Sequence, residues 1–352
     1  MPKTKMQLTS ETATDFWNDS CSIKELSEAI QNGAVGATSN PVIVGTVVKK
    51  EANVWGKELD ALIKNNPDVN EDEIAWQLTE KIGTAAAKLL MPVFEKNDRM
   101  CGRLSLQVNP TFYREKHKMV EHAIHLSNLA PNIAIKAPCT ATGLVALEEM
   151  TANGVVINGT VSFTVPQALA CAEAVERGLK RAESKGIDIR YMTPYVTIMV
   201  GRLDDHLKQI AKNENIDINP EYLEWAGVAV FKKAYQLFCK RNYRATLLAA
   251  AYRNTLHWSE FIGGKVVLTI PYDWWNKFNN SDIAVKERMD TPVQAEIIDA
   301  LYTKFADFRK AYDVDGMQPE DFIHYGASIK TLHQFVSSYY DLLNFIREKR
   351  LV

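Results

Sequence analysis

Ile133-Ala134-Ile135-Lys136 is a short apolar run that ends in a lysine. In an extended strand, alternate residues point to opposite sides, so the two isoleucines share one side and Ala134 shares the other with Lys136. One side of this strand is therefore aliphatic, while the other carries a long cationic side chain. This pattern predicts a strand whose aliphatic side packs against helices and whose other side faces a polar interior.

The same alternation recurs on other β-favouring segments. In Leu104-Ser105-Leu106-Gln107-Val108, one parity is entirely aliphatic and the other consists of Ser105 and Gln107. An open parallel sheet covered by helices is normally apolar on both faces, whereas a barrel gathers polar residues at the carboxyl ends of its strands. The pattern therefore favours a (β/α)8 barrel over an open, doubly wound sheet. Same-parity polar pairs occur at three further predicted strand ends: Trp17 with Asp19, Thr38 with Asn40, and Asn158 with Thr160.

Short β-favouring runs alternate with longer runs of helical spacing along the chain, which is typical of a parallel α/β protein. We expect a single barrel domain over residues 1–352, with the barrel at about 12–310 and a C-terminal helical extension at 311–352. Helices are predicted at Ser22–Asn32, which ends before Gly33, and at Tyr113–Asn128. The predicted strands are Ala13–Asn18, Ala37–Asn40, Arg103–Val108, Ile133–Lys136, Val155–Asn158, Arg190–Met192, Ala245–Leu248 and Val266–Ile270.

Charge and composition argue against several classes of function. Lysine and arginine (41) almost balance aspartate and glutamate (43), so neither nucleic acid nor a membrane is expected as a partner. The N-terminal residues lack the apolar core of a secretory signal, and no apolar run approaches the ~20 residues of a membrane-spanning helix. The five cysteines are scattered and form no Cys-x-x-Cys pair, which favours reduced thiols in the cytoplasm. The oligomeric state is open, with a homodimer as one expectation.

Lys136 is the sharpest candidate for chemistry. At the end of a buried strand, a lysine amine can be held away from water, which lowers its pKa and leaves a neutral nucleophile near neutral pH. Such an amine attacks a ketone and forms an iminium, which draws electrons from an adjacent carbon–carbon bond. The alternative is a lysine whose stem is buried while its amine reaches solvent at the strand end.

Asp19 is the candidate acid/base, since Schiff-base chemistry needs proton transfers at the imine and at a sugar hydroxyl. Its alternative role is the N-cap of the helix that follows it. Asn40 and Asn158 could hold substrate hydroxyls. Taken alone, however, their positions before Pro41 and Gly159 are more typical of ordinary turns.

Arg202 and Arg253 are candidates for binding phosphate, because arginine binds phosphate with two parallel hydrogen bonds and both residues follow late strands. As an alternative, Arg202 forms a surface ion pair with Asp204 or Asp205.

Two further groups receive a structural interpretation. His117, His122 and His125 lie on a charged predicted helix with no carboxylate arranged to complete a metal site, so we expect them to be solvated. Trp274-Trp275 follows the last predicted strand, and we expect it to pack a short helix onto the barrel, with closure over the site as the alternative.

Around these residues the sequence resembles transaldolases, and the resemblance covers most of the chain from about Asp15 to the C-terminal helix. The matching segments occur in the family's order, each at a predicted strand end. The resemblance implies a cofactor-free and metal-free enzyme that moves a dihydroxyacetone unit from a ketose phosphate to an aldose phosphate. The segments are Asp19-Ser20-Cys21, Thr38-Ser39-Asn40-Pro41, Gly102–Val108, Ile135-Lys136-Ala137-Pro138, Asn158-Gly159-Thr160, Gly201-Arg202-Leu203 and Ala250-Ala251-Tyr252-Arg253-Asn254.

The resemblance also implies roles for individual residues. Lys136 matches the Schiff-base lysine, Asp19 the aspartate that moves protons at the sugar hydroxyl, and Thr160 the threonine that positions a catalytic water. The substrate-binding positions that match are Asn40 and Asn158 for the donor hydroxyls and imine region, and Arg202 and Arg253 for the phosphate.

Three positions depart from the family's pattern. Gln107 stands where transaldolases have a water-activating glutamate, as in the related fructose 6-phosphate aldolases, and a glutamine can orient a water but cannot act as its base. Those aldolases pair the glutamine with a tyrosine, whereas this chain has Met199 at that position and Tyr195 lies earlier. Ala251 replaces a serine that helps to bind phosphate.

The expected function is that of a transaldolase of the non-oxidative pentose phosphate pathway. A fructose 6-phosphate aldolase-like enzyme and a transaldolase of a modified acidic sugar are the nearest alternatives. A catalytically silent barrel that binds sugar phosphates is the alternative from a different class, and the departures at Gln107, Met199 and Ala251 are the reasons to retain it.

Overall fold

The computed structural model describes residues 2–351, which contain a closed barrel of parallel strands that follow one another in chain order. The first strand closes the barrel on the last, with Asp15 opposite Val267 and Asn18 opposite Ile270. The predicted (β/α)8 barrel is confirmed, and the open sheet is excluded. The strands are β1 (Asp15–Asn18), β2 (Gly36–Thr38), β3 (Arg103–Gln107), β4 (Ile133–Pro138), β5 (Ile157–Thr160), β6 (Tyr195–Met199), β7 (Thr246–Ala250) and β8 (Val267–Ile270).

Helices surround the barrel, and short 3-10 or π segments lie at Ala52–Gly56, Pro110–Phe112 and Pro319–His324. The α-helices are α1 (Lys5–Thr9), α2 (Ile23–Gln31), α3 (Pro41–Lys50), α4 (Lys57–Asn65), α5 (Glu71–Lys96), α6 (Lys116–Ser127), α7 (Ala141–Ala152), α8 (Val165–Ser184), α9 (Val200–Glu214), α10 (Pro220–Leu223), α11 (Ala226–Arg241), α12 (Leu256–Ser259), α13 (Tyr272–Asn279), α14 (Ala295–Lys304), α15 (Ala306–Tyr312) and α16 (Gly326–Arg350). The C-terminal helix predicted beyond the barrel is therefore α16.

The alternation read from the sequence separates the two faces of the strands. On β3, Leu106 points outward and fits against Gly83 of α5, where an added Cβ would lie 2.8 Å from the leucine side chain. The alternate residues point into the barrel, where Ser105 accepts a hydrogen bond from the Asn158 amide of β5 (3.1 Å). Gln107 lies in register with Lys136, and Lys136 with Asn158, so three neighbouring strands place polar residues at one level.

Two aromatic side chains pack against each other inside the barrel. Trp17 and Tyr195 meet edge to face with ring centroids 4.8 Å apart. Gly36 makes room for the indole, because a Cβ at this position would lie 2.3 Å from the Trp17 ring. These rings are therefore part of a packed barrel interior.

The predicted sixth strand is wrong in position. Arg190 lies in a turn, where its backbone N–H donates to the Asp188 carboxylate (3.0 Å), and β6 begins only after Pro194. The other predicted strands overlap the observed ones with shifts of a few residues at their ends. Helix α2 agrees with its prediction, since Ser22 caps it and Gly33 adopts a φ of 95° just beyond its end.

Helix α16 runs back across the molecule and contacts α3, α5 and α9. Its Tyr339 hydroxyl bonds the Asp72 carboxylate at the start of α5, and its Thr331 hydroxyl accepts a hydrogen bond from Arg202 on α9. The C-terminal helix therefore reaches the carboxyl end of the barrel. Within residues 2–351, none of the helices combines the length and the apolar character needed to cross a bilayer.

Candidate active site

A cavity of about 410 Å³ opens at the carboxyl ends of the strands. Helices α3, α13 and α16 contribute to its wall through residues such as Ile43, Trp274 and Phe335. Most of the residues singled out from the sequence meet here, although Gln107 and Asn158 do not line the cavity. The sequence-predicted residues in the wall are Asp19, Asn40, Lys136, Thr160, Arg202 and Arg253.

Lys136 is 5% exposed, and its amine donates a hydrogen bond to the backbone carbonyl of Ser39 (3.2 Å). Burial lowers the pKa of this amine, and the charge of Asp19 acts in the opposite direction. The alternative in which the amine reaches solvent is therefore wrong. A lowered pKa favours the neutral form of an amine, which is the form that attacks a carbonyl.

Asp19 follows β1 and accepts a hydrogen bond from the Thr38 hydroxyl (2.6 Å). Burial raises the pKa of Asp19, while Lys136, the Thr38 hydroxyl and Arg202 each act to lower it. The following helix is capped by Ser22, whose hydroxyl accepts from the Glu25 backbone N–H (3.1 Å), so Asp19 is not the N-cap. Its carboxylate is left to interact with the cavity.

The two asparagines occupy different environments. Asn40 caps α3 by accepting from the Ile43 backbone N–H (3.0 Å) and also lines the cavity, so the local turn role and the cavity position coexist. Asn158 is fully buried, donates to Ser105 and accepts from the Thr197 hydroxyl (2.7 Å). Its amide is held by its neighbours inside the barrel rather than presented at the cavity wall.

Gln107 and Thr160 lie on either side of the Lys136 strand. Gln107 is 8% exposed, and its side-chain oxygen is buried with no hydrogen-bond partner among residues 2–351. Thr160 is 2% exposed and does line the cavity. An acceptor without a partner beside a buried amine is suited to orient a water or a substrate hydroxyl, and an amide has no basic lone pair to take a proton.

The two arginines approach the cavity from neighbouring strands. Arg202, the third residue of α9, donates weakly to Thr331 (3.4 Å) and lies 6.0 Å from the centre of the Phe335 ring. Burial lowers the pKa of Arg202, and the nearby charge of Arg253 adds to that effect. Arg253 donates through its Nε to the Asp205 carboxylate (2.8 Å).

The surface ion pair expected as an alternative for Arg202 is therefore not formed, because Asp205 pairs with Arg253. The other aspartate, Asp204, is fully buried and contacts His257. Two guanidinium groups therefore face one cavity. Among the described residues, the Nε of Arg202 has no hydrogen-bond partner. The two groups together suit a dianion such as a phosphate ester, and we call them the arginine cradle.

Sequence reasoning missed several residues of the cavity. Thr197 lies on the strand that was misplaced, and the correct strand would have assigned it to the inward face. Tyr252 was quoted but received no role, and its hydroxyl is buried without a partner in the described part of the chain. Lys277 lines the rim, with its amine 4.7 Å from the centre of the Trp274 ring.

The structure corrects the interpretation of His122 and divides the roles expected for the tryptophan pair. His122 is half-buried, accepts a hydrogen bond from the Asn109 backbone N–H (3.1 Å), and burial lowers its pKa to about 4, so it is not solvated as expected. Of the tryptophan pair, Trp275 packs α13 against Asn18 as expected (3.2 Å), while Trp274 lines the cavity. Residues 2–351 contain no cluster of His, Cys, Asp or Glu side chains arranged to bind a metal.

Comparison with known proteins agrees with this geometry. The sequence profile of a family described as "Transaldolase/Fructose-6-phosphate aldolase" matches residues 16–335. The protein named Transaldolase 1 of Streptomyces avermitilis is 26% identical over 262 residues, which are 71% of this chain and 68% of that protein. The transaldolase of Thiobacillus denitrificans is 27% identical over 73% of this chain and 76% of its own length. The transaldolase of Thermobifida fusca is 30% identical over 59% of this chain and 58% of its own length.

Proposed function

The chain belongs to the transaldolase/fructose-6-phosphate aldolase family, and from this premise we propose that it transfers a dihydroxyacetone unit from a ketose phosphate to an aldose phosphate. The observation that carries the proposal is the buried amine of Lys136 in the wall of a cavity that also contains a carboxyl group and two guanidinium groups. The relatives that bear the name transaldolase support the same reaction class.

In the proposed reaction the neutral Lys136 amine attacks the ketone carbon, and loss of water gives an iminium. Asp19 then removes the proton from the hydroxyl on the second carbon beyond the iminium carbon. The bond between that hydroxyl-bearing carbon and the carbon next to the iminium breaks, and its electrons pass to the iminium. An aldose phosphate leaves, and a dihydroxyacetone enamine stays on the lysine. The raised pKa of Asp19 suits this role, because it brings the carboxyl group closer to neutral pH.

The second half-reaction reverses these steps. The enamine carbon attacks the aldehyde of an acceptor, Asp19 returns the proton to the new hydroxyl, and water hydrolyses the iminium to free Lys136. Thr160 and Gln107 are the proposed ligands of that water, since both flank the lysine strand. Because the amide of Gln107 is not a base, the proton of the water must pass to another group, for which Asp19 is our candidate.

Arg202 and Arg253 are proposed to hold the phosphate of donor and acceptor, while Asn40 and Asn158 bind hydroxyls or support the imine. Asn158 makes its contacts inside the barrel, so we assign it the support of the polar residues around Lys136. Arg253 must exchange or share its contact with Asp205 when a phosphate binds. The proposed setting is the non-oxidative pentose phosphate pathway.

Borohydride trapping tests the proposal. Incubation with fructose 6-phosphate and borohydride should reduce the imine and leave a stable adduct on Lys136, which mass spectrometry of peptides locates. Lys232 is an internal control, because it is also buried (4% exposed) but its amine is bonded to Glu260 (2.8 Å). An adduct on Lys232, or none on Lys136, refutes the mechanism, and Lys136→Met should abolish both the adduct and turnover.

The identity of Gln107 favours a second candidate, in which the three-carbon unit is released as free dihydroxyacetone by an aldolase. Measuring dihydroxyacetone release with and without an acceptor aldose phosphate separates the two reactions. Release that ignores the acceptor indicates the aldolase, and release suppressed by the acceptor indicates transfer. The alternative of a transaldolase that acts on a modified acidic sugar is tested by the same borohydride trapping, with a ketose that carries another acidic group in place of the phosphate. A protein that binds fructose 6-phosphate but forms no adduct is a silent barrel.

A further inference from the structure

Behind the two arginines lies a fully buried contact between an aspartate and a histidine. Asp204 on α9 and His257 on α12 are both 0% exposed, and His257 Nε2 lies 2.8 Å from Asp204 Oδ2. Neither side chain lines the cavity, and the proposed reaction does not use them. A buried ionisable pair of this kind carries a desolvation cost, so its presence calls for a function or for a compensating network.

The network fixes which ring nitrogen of His257 carries the proton. The backbone N–H of Arg253 donates to His257 Nδ1 (3.1 Å), and a backbone N–H can only donate. Nδ1 must therefore present its lone pair, and the proton lies on Nε2, where it is donated to Asp204. The imidazole thus joins the carboxylate on α9 to the backbone of Arg253, the residue proposed to bind phosphate.

Asp204 is itself held at a second point. Its other oxygen accepts a hydrogen bond from the backbone N–H of Gly227 (2.8 Å), the second residue of α11. The N-terminus of a helix stabilises negative charge, so the carboxylate is fixed as an acceptor from both directions. It cannot rotate to release His257 without leaving a helix N–H unpaired.

The same short segment of α9 contributes three residues to the phosphate cradle. Arg202 faces the cavity, Asp204 holds the histidine that accepts from the Arg253 backbone, and Asp205 pairs with the Arg253 guanidinium. Gly201, one residue earlier, lies so close that an added Cβ would be 2.6 Å from Arg253 Cγ. The backbone of Arg253 is therefore located by contacts to α9 and not by its own strand alone.

We propose that Asp204 and His257 are positioning residues that set the distance between the two arginines and so the affinity of the site for a phosphate ester. The inference rests on the proposed function only in taking the bound anion to be a phosphate. Without the imidazole contact, the β7–α12 segment can shift relative to α9, and the two guanidinium groups no longer converge on one dianion. A misplacement of about 1 Å in a binding group can lower activity by roughly 100-fold.

Two substitutions of His257 separate positioning from general stability. In His257→Asn, the amide oxygen occupies the place of Nδ1 and keeps an acceptor for Arg253, but the Asp204 carboxylate loses its donor. In His257→Gln, the amide nitrogen occupies the place of Nε2 and keeps the donor to Asp204, but the Arg253 N–H loses its acceptor. The first variant should lose more stability, because the buried Asp204 carboxylate then keeps, among residues 2–351, only the Gly227 N–H as a donor, and the second should lose more phosphate affinity.

The experiment measures three quantities for the full-length protein and both variants. They are the dissociation constant of inorganic phosphate, kcat and KM for fructose 6-phosphate, and borohydride trapping of unphosphorylated dihydroxyacetone on Lys136. His206→Gln is the matched control, since His206 on α9 contacts Asp307 at the same distance (2.8 Å) but reaches α15 instead of the cradle. Thermal unfolding reports stability for every variant.

We expect His257→Gln to raise the phosphate dissociation constant and KM by roughly tenfold, in line with the loss of one hydrogen bond, while dihydroxyacetone trapping is retained. His257→Asn should show the larger fall in melting temperature and the smaller rise in KM, and His206→Gln should bind phosphate as the unsubstituted protein does. The inference is overturned if His257→Gln binds phosphate with native affinity, or if KM simply follows stability across the variants. Failure of the unsubstituted protein to bind phosphate or to be trapped overturns the proposed function instead.

Discussion

Replacing Gly201 by alanine tests whether the close approach of two chain segments sets the geometry of the arginine cradle. An added Cβ would lie 2.0 Å from the backbone oxygen of Ala251 and 2.6 Å from Arg253 Cγ. Ordinary contact begins at 3.4 Å, so the carbonyl must retreat by about 1.4 Å. Ala251 has a φ of 66°, and the left-handed region is small for an alanine, so its backbone can move little without a clash.

The expected cost has two parts. Overpacking of this kind destabilises a protein by about 1–3 kcal/mol, which thermal or urea unfolding measures. Displacement of Arg253 by roughly 1 Å should reduce kcat/KM for fructose 6-phosphate by up to about 100-fold, mainly through KM. Trapping of dihydroxyacetone, which has no phosphate, should change much less, because Lys136 lies on a different strand.

Gly45→Ala is the matched control. Gly45 lies within α3, and among the described residues no atom beyond its chain neighbours and the nearby backbone of its own helix lies within 4 Å of the position of its added Cβ. Alanine should therefore stabilise that helix by about 0.5–1 kcal/mol and leave KM unchanged. If Gly201→Ala retains native stability and native KM, the two segments are not held by this contact and our account of the cradle is wrong.

Three further predictions follow from buried contacts. Thr38→Val removes a hydrogen bond that lowers the pKa of Asp19, so that pKa should rise, and the acidic limb of the profile of kcat/KM against pH should move to higher pH by about one unit. A limb that does not move contradicts the proposed role of Asp19. Because burial lowers the pKa of His122 to about 4, the free energy of unfolding should fall by up to about 3 kcal/mol as the pH falls from about 6.5 towards 4. Urea unfolding at several pH values should show a smaller fall for His122→Asn. Lys232→Met leaves the buried Glu260 carboxylate without its partner at 2.8 Å and should lower the free energy of unfolding by about 3–5 kcal/mol. A loss below about 1 kcal/mol means that water hydrates the carboxylate in the variant.

The barrel was predictable because alternation is a short-range property. In Leu104–Gln107 and Ile133–Lys136 each side chain's face follows from its neighbours two residues away, and the structure preserves that parity. The ends of α2 were equally local, since Ser22 caps its start and Gly33 takes the positive φ beyond its end. Such features need no knowledge of the rest of the chain.

The sixth strand was missed for a reason that is also local. β-favouring residues lie on both sides of Thr193-Pro194, and the pattern alone does not tell which run is extended. In the structure the earlier run forms a turn, in which the side chain of Asp188 accepts a hydrogen bond from the Arg190 backbone N–H. With β6 displaced, Thr197 could not be assigned to the inward face.

The residues that support the site were beyond the reach of sequence patterns. Thr38 contacts Asp19 across two strands, and Asp204 meets His257 although 53 positions separate them. No spacing rule connects such pairs, because their contact depends on barrel closure and helix packing. Asp19, Lys136 and Arg202, which were singled out from strand ends and side-chain chemistry and then matched by the family resemblance, all lie in the cavity wall.

The separation of inward and outward faces on the strands has a consequence for evolvability. Leu106 and Gln107 are adjacent in sequence, yet Leu106 packs against α5 and Gln107 lies in register with Lys136. Selection can therefore exchange Gln107, the proposed ligand of the hydrolytic water, at little risk to the packing that keeps the barrel folded. A combinatorial library limited to the inward positions Gln107 and Thr160 should be rich in folded proteins with altered reaction outcomes, whereas one of equal size at the outward positions Leu106 and Ile135 should be rich in unfolded ones.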